Sequence, residues 1–314
     1  MSRRLAALLA AAALGLTGCG GAAESQEPAG SDSADAAFPR TVEHAMGTTE
    51  IPARPERVVV LDTGELDSAL ALGGTPVGAV TTAVAEGFLS SLAEDADGVE
   101  VVGTIAEPNL EAIAALQPDL ILSNKVRHED IYDQLAQIAP TVFAERVGAV
   151  WKDNFRLAGE ALGLEDEAEQ ALDDYEQRAG ELGTSVGDPS ATTVGTARFV
   201  GGTIRVYSAA SFIGTVLADI GLTQLELPTA DVPTFTELSP EELTQIDADV
   251  VLYSSYGADD ESGLAGALAG PLWPRLTAVQ EGRAYAVEDD VFFTGIGLTA
   301  ANLQLDALQE LLAG

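Results

Sequence analysis

The sequence has few of the side chains from which disulfides, metal sites and catalytic dyads are built. Its 314 residues include one cysteine and two histidines, His44 and His128. A single cysteine excludes an internal disulfide, and so few histidines exclude most zinc sites, which need several Cys or His ligands. Neither histidine lies in a recognisable nucleophile pattern, and we expect neither a G-x-S-x-G nucleophile elbow nor a phosphate-binding G-x-x-x-x-G-K-[ST] loop. The sequence therefore predicts a protein without catalytic residues or a metal site, and a secreted enzyme is the remote alternative.

Basic side chains are also scarce. The chain has 15 Lys and Arg residues against 50 Asp and Glu residues, a formal net charge of −35. Such a charge repels phosphate backbones and anionic lipid headgroups, so we expect neither nucleic-acid binding nor membrane adhesion through basic patches. The hydrophobic fraction of 46% indicates a globular protein, and the length suits one large domain or two lobes of about 130 residues each.

The N-terminal region has the composition of an export signal and a linker. Two arginines precede an apolar run at 5–16 that is too short to span a membrane, so residues 1–18 are predicted to be a signal peptide. The Leu-Thr-Gly-Cys sequence that ends at Cys19 resembles a bacterial lipobox, which implies cleavage before Cys19 and acylation of that residue. An ordinary secretory signal is the alternative. Residues 19–39 are small and polar, and we interpret them as the lipidated cysteine and a flexible tether.

The rest of the sequence alternates between short β-branched runs and helical patterns, except in its middle. Alternation of this kind predicts parallel strands joined by crossover helices, and it holds for residues 40–148 and again for residues 188–314. Residues 149–187 have no strand pattern, and the apolar side chains between 168 and 182 fall on one face of a helix. We therefore predict an α/β protein made of two α/β lobes joined by one long helix.

A short internal repeat supports the two-lobe prediction. Residues 109–122 and 239–252 align without gaps at an offset of 130, and each has the pattern of an N-capped helix that turns into a buried strand. Glu111 and Glu241 occupy equivalent positions in the first helical turn of the two segments. A glutamate is favoured there by the helix dipole whatever its function, so the repeat alone assigns it no role.

Five motifs occur in register along the chain after the tether. They are Pro55-Glu56-Arg57-Val58-Val59, Leu72-Gly73-Gly74-Thr75-Pro76-Val77-Gly78, Leu116-Gln117-Pro118-Asp119-Leu120-Ile121, Ile138-Ala139-Pro140-Thr141-Val142 and Pro271-Leu272-Trp273-Pro274-Arg275-Leu276. With the lipobox they resemble the ferric siderophore-binding lipoproteins of ABC importers. The resemblance implies two α/β lobes joined by a single rigid helix, with the ligand in the cleft between the lobes, the class III fold of periplasmic binding proteins. The amino-acid sequence at 41–60 and 123–141 is most similar to actinobacterial lipoproteins that bind hydroxamate siderophores such as ferrioxamines.

The resemblance also implies partners and a location. A ferric siderophore is the ligand, and Glu111 and Glu241 match the carboxylates with which the family docks onto a dimeric ABC permease whose ATPase supplies the energy. The protein is expected to be a monomer, held by the lipid on Cys19 at the extracellular face of the cell membrane. Where an outer membrane is present, this is the periplasmic side. Haem or cobalamin binding by the same fold is the main alternative.

A ferric hydroxamate already has six oxygen ligands, so we expect no cofactor and iron that arrives as a pre-formed chelate. The protein needs donors for the outward-facing oxygens and aromatic surface for the carbon spacers. The candidate donors are Lys125, Arg127, Arg198 and Arg205, and the candidate aromatic residues are Trp151, Phe199, Tyr207, Tyr253, Tyr256, Phe292 and Phe293. Several follow predicted strands, at the edge where α/β sheets bind ligands. For each of them the alternative is a position on the surface of a helix or in the hydrophobic core.

Three smaller expectations complete the sequence-based prediction. His128 is expected at the surface. Gly295-Ile296-Gly297 with Ala300 matches the dinucleotide-binding pattern G-x-G-x-x-A, but only 14 residues follow Ala300, so we interpret the glycines as a turn. Without the signal peptide the chain has 13 basic and 50 acidic residues, a net charge of −37, which favours a cationic or neutral chelate over an anionic one.

Overall fold

The computed structural model describes residues 38–83, 87–228 and 233–312, which contain two α/β lobes and a central pair of helices. The predicted signal peptide and Cys19 lie outside the described residues, as does the tether up to residue 37. None of the helices within the described ranges is both long and apolar enough to cross a bilayer.

The N-terminal lobe begins with a hairpin and continues as a six-stranded sheet. The hairpin consists of the antiparallel strands β1 (Arg40–His44) and β2 (Gly47–Ile51). The sheet strands are β3 (Val58–Val60), β4 (Gly78–Thr81), β5 (Glu100–Thr104), β6 (Glu107–Pro108), β7 (Leu120–Asn124) and β8 (Thr141–Ala144). The helices are α1 (Thr63–Ala71), α2 (Leu110–Ala115), α3 (Lys125–His128) and α4 (Tyr132–Leu135).

The strand order β6-β5-β4-β3-β7-β8 is that of a largely parallel sheet, in which β5 with β6 forms an antiparallel pair. Strands β3, β4, β7 and β8 are buried along their whole length, which explains their continuous apolar runs. Residues 125–135 form α3, a 3₁₀ turn at Glu129–Ile131 and α4 rather than one continuous helix, because His128 and Ile131 have non-helical backbone angles.

Two consecutive helices follow the first lobe, α5 (Trp151–Leu162) and α6 (Glu165–Ser185). Gly163 ends α5 with a φ of 71°, a left-handed conformation that glycine adopts without strain. The helix α6 contains the predicted apolar face at 168–182 and extends three residues beyond it at each end. Its buried positions follow the predicted apolar face and are Ala168, Leu172, Tyr175, Ala179, Leu182 and Gly183.

The C-terminal lobe contains a second six-stranded sheet. Its strands are β9 (Thr193–Val200), β10 (Thr203–Tyr207), β11 (Thr223–Gln224), β12 (Phe235–Leu238), β13 (Val250–Ser255) and β14 (Ala284–Ala286). The order is β12-β10-β9-β13-β14, with β11 also paired to β9. The helices are α7 (Phe212–Ile220), α8 (Asp259–Ser262), α9 (Leu264–Ala269), α10 (Thr277–Gln280) and α11 (Leu298–Leu312).

This second sheet is mixed rather than parallel, because β10 runs antiparallel to both β9 and β12. The second copy of the internal repeat also differs from the first, since its helix at Pro240–Ile246 is 3₁₀ whereas the equivalent segment of the first lobe is α2. Both helices are capped as predicted, by Asn109 in the first lobe and by a Ser239–Glu242 capping box in the second. The helices therefore start at equivalent points and continue differently.

Helix α6 contacts α5 and two helices of the second lobe. It packs on α5, which itself packs on α1 of the first lobe, and on α7 and α11. The polar contacts are Arg156 with Glu169 at 2.8 Å and Lys152 with Glu176 at 2.8 Å toward α5, Tyr175 with Asp219 at 2.9 Å toward α7, and Arg178 with Asp306 at 2.5 Å toward α11. Such a joint favours small lobe movements over wide hinge opening.

The lobes also contact each other directly, through the buried side chain of Asp67 in α1. Its Oδ1 accepts a hydrogen bond from the Thr299 N–H at 3.0 Å, and its Oδ2 accepts one from the Ala300 N–H at 3.1 Å. The carboxyl therefore caps the N-terminus of α11, where backbone N–H groups and the helix dipole favour an anion. Gly297, with a φ of 135°, precedes this contact, and a Cβ there would overlap the Asp67 side chain. The G-x-G-x-x-A segment is thus a turn whose helix N-terminus is already occupied.

Candidate ligand-binding cleft

An open cleft lies between the two lobes, at the carboxyl ends of strands from both sheets. Its volume is about 390 Å³, within the range of small-molecule sites. The lining residues of the first lobe are Asp62, Thr63, Thr82, Ala83, Ile105, Ala106, Val126 and Arg127, and those of the second lobe are Arg198, Tyr256, Phe293, Thr294 and Ile296. The strand-end location is the one expected for ligand binding in α/β folds.

The wall of the first lobe presents Arg127 beside a buried carboxylate. Asp62, which is the N-cap of α1, is 2% exposed, and its Oδ2 accepts a hydrogen bond from Arg127 Nε at 3.1 Å. Asn124 Nδ2 donates to the same oxygen at 3.1 Å and to Glu65 Oε1 at 3.2 Å. The Arg127 side chain is 45% exposed, and within the described ranges its two terminal nitrogens donate to no protein group. These two nitrogens are therefore available to a ligand.

Glu65 lies behind Asp62, buried and incompletely hydrogen-bonded. Its Oε2 has no partner among the residues that the structure describes. Burial, and then the neighbouring charge of Asp62, raises the pKa of Glu65 from 4.5 to about 8. The Glu65 carboxyl is therefore neutral at pH 7, and the Asp62–Glu65 pair has one negative charge, opposite the one positive charge of Arg127.

The wall of the second lobe holds Arg198 more tightly. Arg198 Nε donates to Asp289 Oδ1 at 2.7 Å, and Arg198 Nη2 donates to Asp289 Oδ2 and to Thr294 Oγ1. The guanidinium also lies 4.3 Å from the centroid of the Tyr256 ring, and the residue is 7% exposed. Burial alone would lower the pKa of Arg198, but the hydrogen bonds and charge of Asp289 outweigh burial and raise it. Arg198 is thus a fixed cation paired with a fixed anion.

Four of the predicted site residues line the cleft together: Arg127, Arg198, Tyr256 and Phe293. Lys125 lies at the rim, in a surface depression that it shares with Arg127, and its Nζ is 3.6 Å from Glu145 Oε1.

The other predicted residues lie outside the cleft lining, in four kinds of place. Trp151 is buried and donates from Nε1 to Thr215 Oγ1 at 3.0 Å. Arg205 pairs with Glu237 at 3.0 Å and covers the Phe235 ring. Phe199 and Phe292 are each 2% exposed in hydrophobic clusters. Tyr207 packs on Phe293 with ring centroids 4.9 Å apart, and Tyr253 packs edge-on against Trp273 at 4.8 Å.

The alternation of a β-strand accounts for part of this separation. Successive side chains of a strand point to opposite faces of the sheet. Arg198 and Phe199 are neighbours in β9, so the arginine reaches the cleft while the phenylalanine enters a core cluster. In β13, Ser254 donates to Asp289 Oδ1 at 2.8 Å behind Arg198, whereas its neighbour Tyr253 packs on the other side.

The expectation for His128 was wrong. His128 is 3% exposed; its Nδ1 is 2.7 Å from Ser123 Oγ, and its Nε2 is 2.7 Å from the Ile105 carbonyl. Burial lowers the pKa of His128, so the ring is neutral, with Nε2 donating to the carbonyl and Nδ1 accepting from the serine. This contact fixes the Ile105 wall of the cleft. The buried Ser123–His128 pair is closed to a substrate.

Sequence inspection also missed a match to the nucleophile-elbow pattern G-x-S-x-G at 183–187. Ser185 ends α6 rather than following a strand, and its Oγ donates to the Leu182 carbonyl at 2.7 Å, so the segment is not an elbow. Over the described parts of the chain, no three His, Cys, Asp or Glu side chains are grouped to hold a metal ion.

The polar partners of the arginines were the functional residues that sequence reasoning did not select. Asp62 directly follows the apolar run of β3, so its position at a strand end was a signal that could have identified it. Asp289 is the N-cap of a short π-helix at Asp290–Thr294 that follows β14, Thr294 ends that helix, and neither residue carries a comparable signal.

Four similarities to known proteins agree with one another. The family model described as "Periplasmic binding protein" matches residues 58–291. The probable siderophore-binding lipoprotein YfiY of Bacillus subtilis is 41% identical over 299 residues, which cover 92% of each chain. The crystal structure of Staphylococcus aureus SirA complexed with staphyloferrin B superposes with a TM-score of 0.77 at 30% identity, covering 87% of this chain and 98% of that one. The Fe(3+)-citrate-binding protein YfmC of Bacillus subtilis is 29% identical, covering 94% and 93% of the two chains.

Proposed function

The chain belongs to the periplasmic binding protein family, and we propose that it is the substrate-binding lipoprotein of an ABC importer that captures a ferric siderophore. The observation that carries the proposal is the cleft itself, which has a guanidinium on each wall and an aromatic ring under one of them. Such a site hydrogen-bonds the outward-facing oxygens of a chelate that has already saturated its iron. Accordingly, iron enters as part of the substrate, and the protein supplies no cofactor.

A hydroxamate chelate such as a ferrioxamine is the ligand class that we propose. Arg127 is paired with Asp62, and Arg198 with Asp289, so the four charged side chains of the cleft have no net charge. The arginines still donate hydrogen bonds, but the cleft has no excess positive charge with which to attract a polyanion. A neutral or cationic ferric trihydroxamate fits this arrangement.

A carboxylate-type chelate is the second candidate. It is favoured by the two guanidinium groups, whose planar donors match carboxylate oxygens, and by the ligands named for SirA and YfmC. Haem and cobalamin are further alternatives, to be tested in the same experiment.

Isothermal titration of the full-length protein in detergent distinguishes these ligands. The probes are ferrioxamine B, ferric dicitrate, ferric staphyloferrin B, haemin and cobalamin, with iron-free desferrioxamine B as control. We expect micromolar or tighter binding of ferrioxamine B and at least about tenfold weaker binding of the flexible iron-free ligand, which must be ordered on binding. Binding of haemin or cobalamin alone would overturn the siderophore function.

Delivery to the transporter is proposed to use Glu111 and Glu241. Both side chains are exposed in the first turn of their helices, one on each lobe. Two exposed carboxylates at equivalent positions suit a symmetric partner that presents basic residues. We place the monomeric protein at the membrane surface through the lipid on Cys19.

Uptake of radiolabelled iron by cells tests the docking role. Replacing both Glu111 and Glu241 by Ala should abolish uptake and leave the dissociation constant of the ligand unchanged. The matched control replaces two other exposed glutamates, Glu167 and Glu310. Normal uptake by the first variant would contradict the docking role.

A further inference from the structure

Two carboxylates lie directly behind the two arginines of the cleft, one in each lobe. Asp62 has a side chain that is 2% exposed and binds Arg127 Nε at 3.1 Å. Asp289 has a side chain that is 18% exposed and binds Arg198 Nε at 2.7 Å.

Each aspartate is fixed by further donors that do not depend on its arginine. Asp62 Oδ1 accepts from the Thr63 N–H at 2.7 Å, and Asp62 Oδ2 accepts from Asn124 Nδ2 at 3.1 Å. Asp289 accepts from Ser254 Oγ and Thr294 Oγ1, both at 2.8 Å. Such donors favour the ionised form of a carboxylate, and they hold both aspartates beside the arginines of the cleft.

The ionisable groups next to Asp62 add no further charge to the Asp62–Arg127 pair at neutral pH. Glu65 and His128 face Asp62 and are both uncharged, the first because burial raises its pKa and the second because burial lowers it. Tyr207 faces Arg198 with its Oη 3.5 Å from Nη1.

We infer that Asp62 and Asp289 are specificity-determining residues, which cancel the charge of the two arginines so that the cleft discriminates against anionic ferric chelates. The inference rests on the proposed siderophore function. Without either carboxylate, one guanidinium would be left uncompensated in a partly buried site, where its attraction to an anionic ligand is poorly screened. Removal of one carboxylate should therefore change selectivity, not only affinity.

The test compares three ligands with the same iron-binding core and different charge: ferrioxamine B, with its ammonium group, its neutral N-acetyl derivative and its anionic N-succinyl derivative. Their dissociation constants are measured by titration of the full-length protein. The variants are Asp62→Asn and Asp289→Asn, with Asp62→Glu as the charge-preserving variant. Asp97→Asn is the control, because it removes one charge from an exposed site outside the cleft lining.

For the wild type we expect affinity to fall from the cationic to the anionic ligand. Each Asp→Asn variant should shift the ratio of the two dissociation constants toward the anion by about 10- to 100-fold, while Asp62→Glu and Asp97→Asn keep the wild-type ratio. A structural role would weaken all three ligands by the same factor, and that result overturns the inference. If one Asp→Asn variant fails to fold, the other decides.

Two outcomes separate this inference from the function on which it rests. A wild-type protein that binds ferric dicitrate and none of the three ferrioxamines contradicts the charge inference but leaves siderophore binding standing. A wild-type protein that binds no ferric chelate contradicts the function itself.

Discussion

The two walls of the cleft each present an arginine, and they hold it in opposite ways. Arg198 is 7% exposed, bound through two nitrogens to Asp289 and stacked on Tyr256. Arg127 has a half-exposed side chain that is bound through Nε to Asp62. A fixed side chain has already lost its rotamer freedom before the ligand arrives, whereas a free one loses it on binding. The second lobe therefore offers a preorganised donor, and the first lobe an adaptable one.

The largest effect on stability and affinity is expected when Arg198, the fixed arginine on the wall of the second lobe, is removed. Arg198→Ala leaves Asp289 as a poorly compensated charge in a partly buried site, so we expect a loss of about 3 kcal/mol in the free energy of unfolding. Ligand affinity should fall at least about 30-fold, as for a buried interface arginine. Urea unfolding and calorimetric titration measure the two quantities. The double variant Arg198→Met/Asp289→Asn should recover part of the stability and none of the affinity; wild-type stability in Arg198→Ala would show that the two walls do not differ.

The next largest effect is expected at the contact between the two lobes, in which Asp67 of α1 caps the N-terminus of α11. Gly297→Ala places a Cβ against Asp67 at a residue with a φ of 135°, so we expect a destabilisation of about 2–4 kcal/mol, measured by urea unfolding. The control is Gly180→Ala on α6, where a Cβ meets no atom within 4 Å, and which should not destabilise the protein. Equal stabilities of the two variants would mean that the Asp67 contact between α1 and α11 is not a constraint.

A smaller effect, mainly on ligand affinity, is expected at Arg127, the adaptable arginine on the wall of the first lobe. Arg127→Ala should weaken ligand binding about tenfold and lower the free energy of unfolding by less than Arg198→Ala does, because Arg127 is 45% exposed and donates one hydrogen bond to Asp62, whereas Arg198 donates two to Asp289. Arg146→Ala, an exposed arginine in the adjoining depression, is the matched control. A stability loss in Arg127→Ala as large as that of Arg198→Ala would remove the distinction between the walls.

The comparison also shows what the sequence could predict. The alternation of strand and helix patterns, the apolar face of α6 and the capped helices of the repeat are local properties, and the structure contains each of them. Among the chosen site residues, Arg127 and Arg198 line the cleft because they lie at or near strand ends. Phe199 does not, because its side chain points to the other face of β9. Strand phase and long-range partners such as Asp289 require tertiary structure, and no local pattern encodes them.

The smallest expected effect is a pH dependence of folding stability that comes from Glu65, which lies behind the wall of the first lobe. Because the pKa of Glu65 is raised from 4.5 to about 8, its contribution to folding stability is fully present below pH 4.5 and is lost as the pH rises through about 8. Asp67, with a pKa raised to about 7, acts in the same direction and will keep part of this slope. Glu65→Gln should therefore reduce, but not abolish, the fall in stability between pH 5 and pH 8, as measured by urea unfolding at several pH values. Glu65 adjoins Asp62 and, through it, Arg127, so its ionisation above pH 8 adds a negative charge behind the cleft. Affinity for the anionic N-succinyl ligand should therefore decline above pH 8 in the wild type and not in the variant. An unchanged pH dependence in Glu65→Gln would show that Glu65 does not titrate in this range, and the pH response would then not distinguish the adaptable wall from the fixed one.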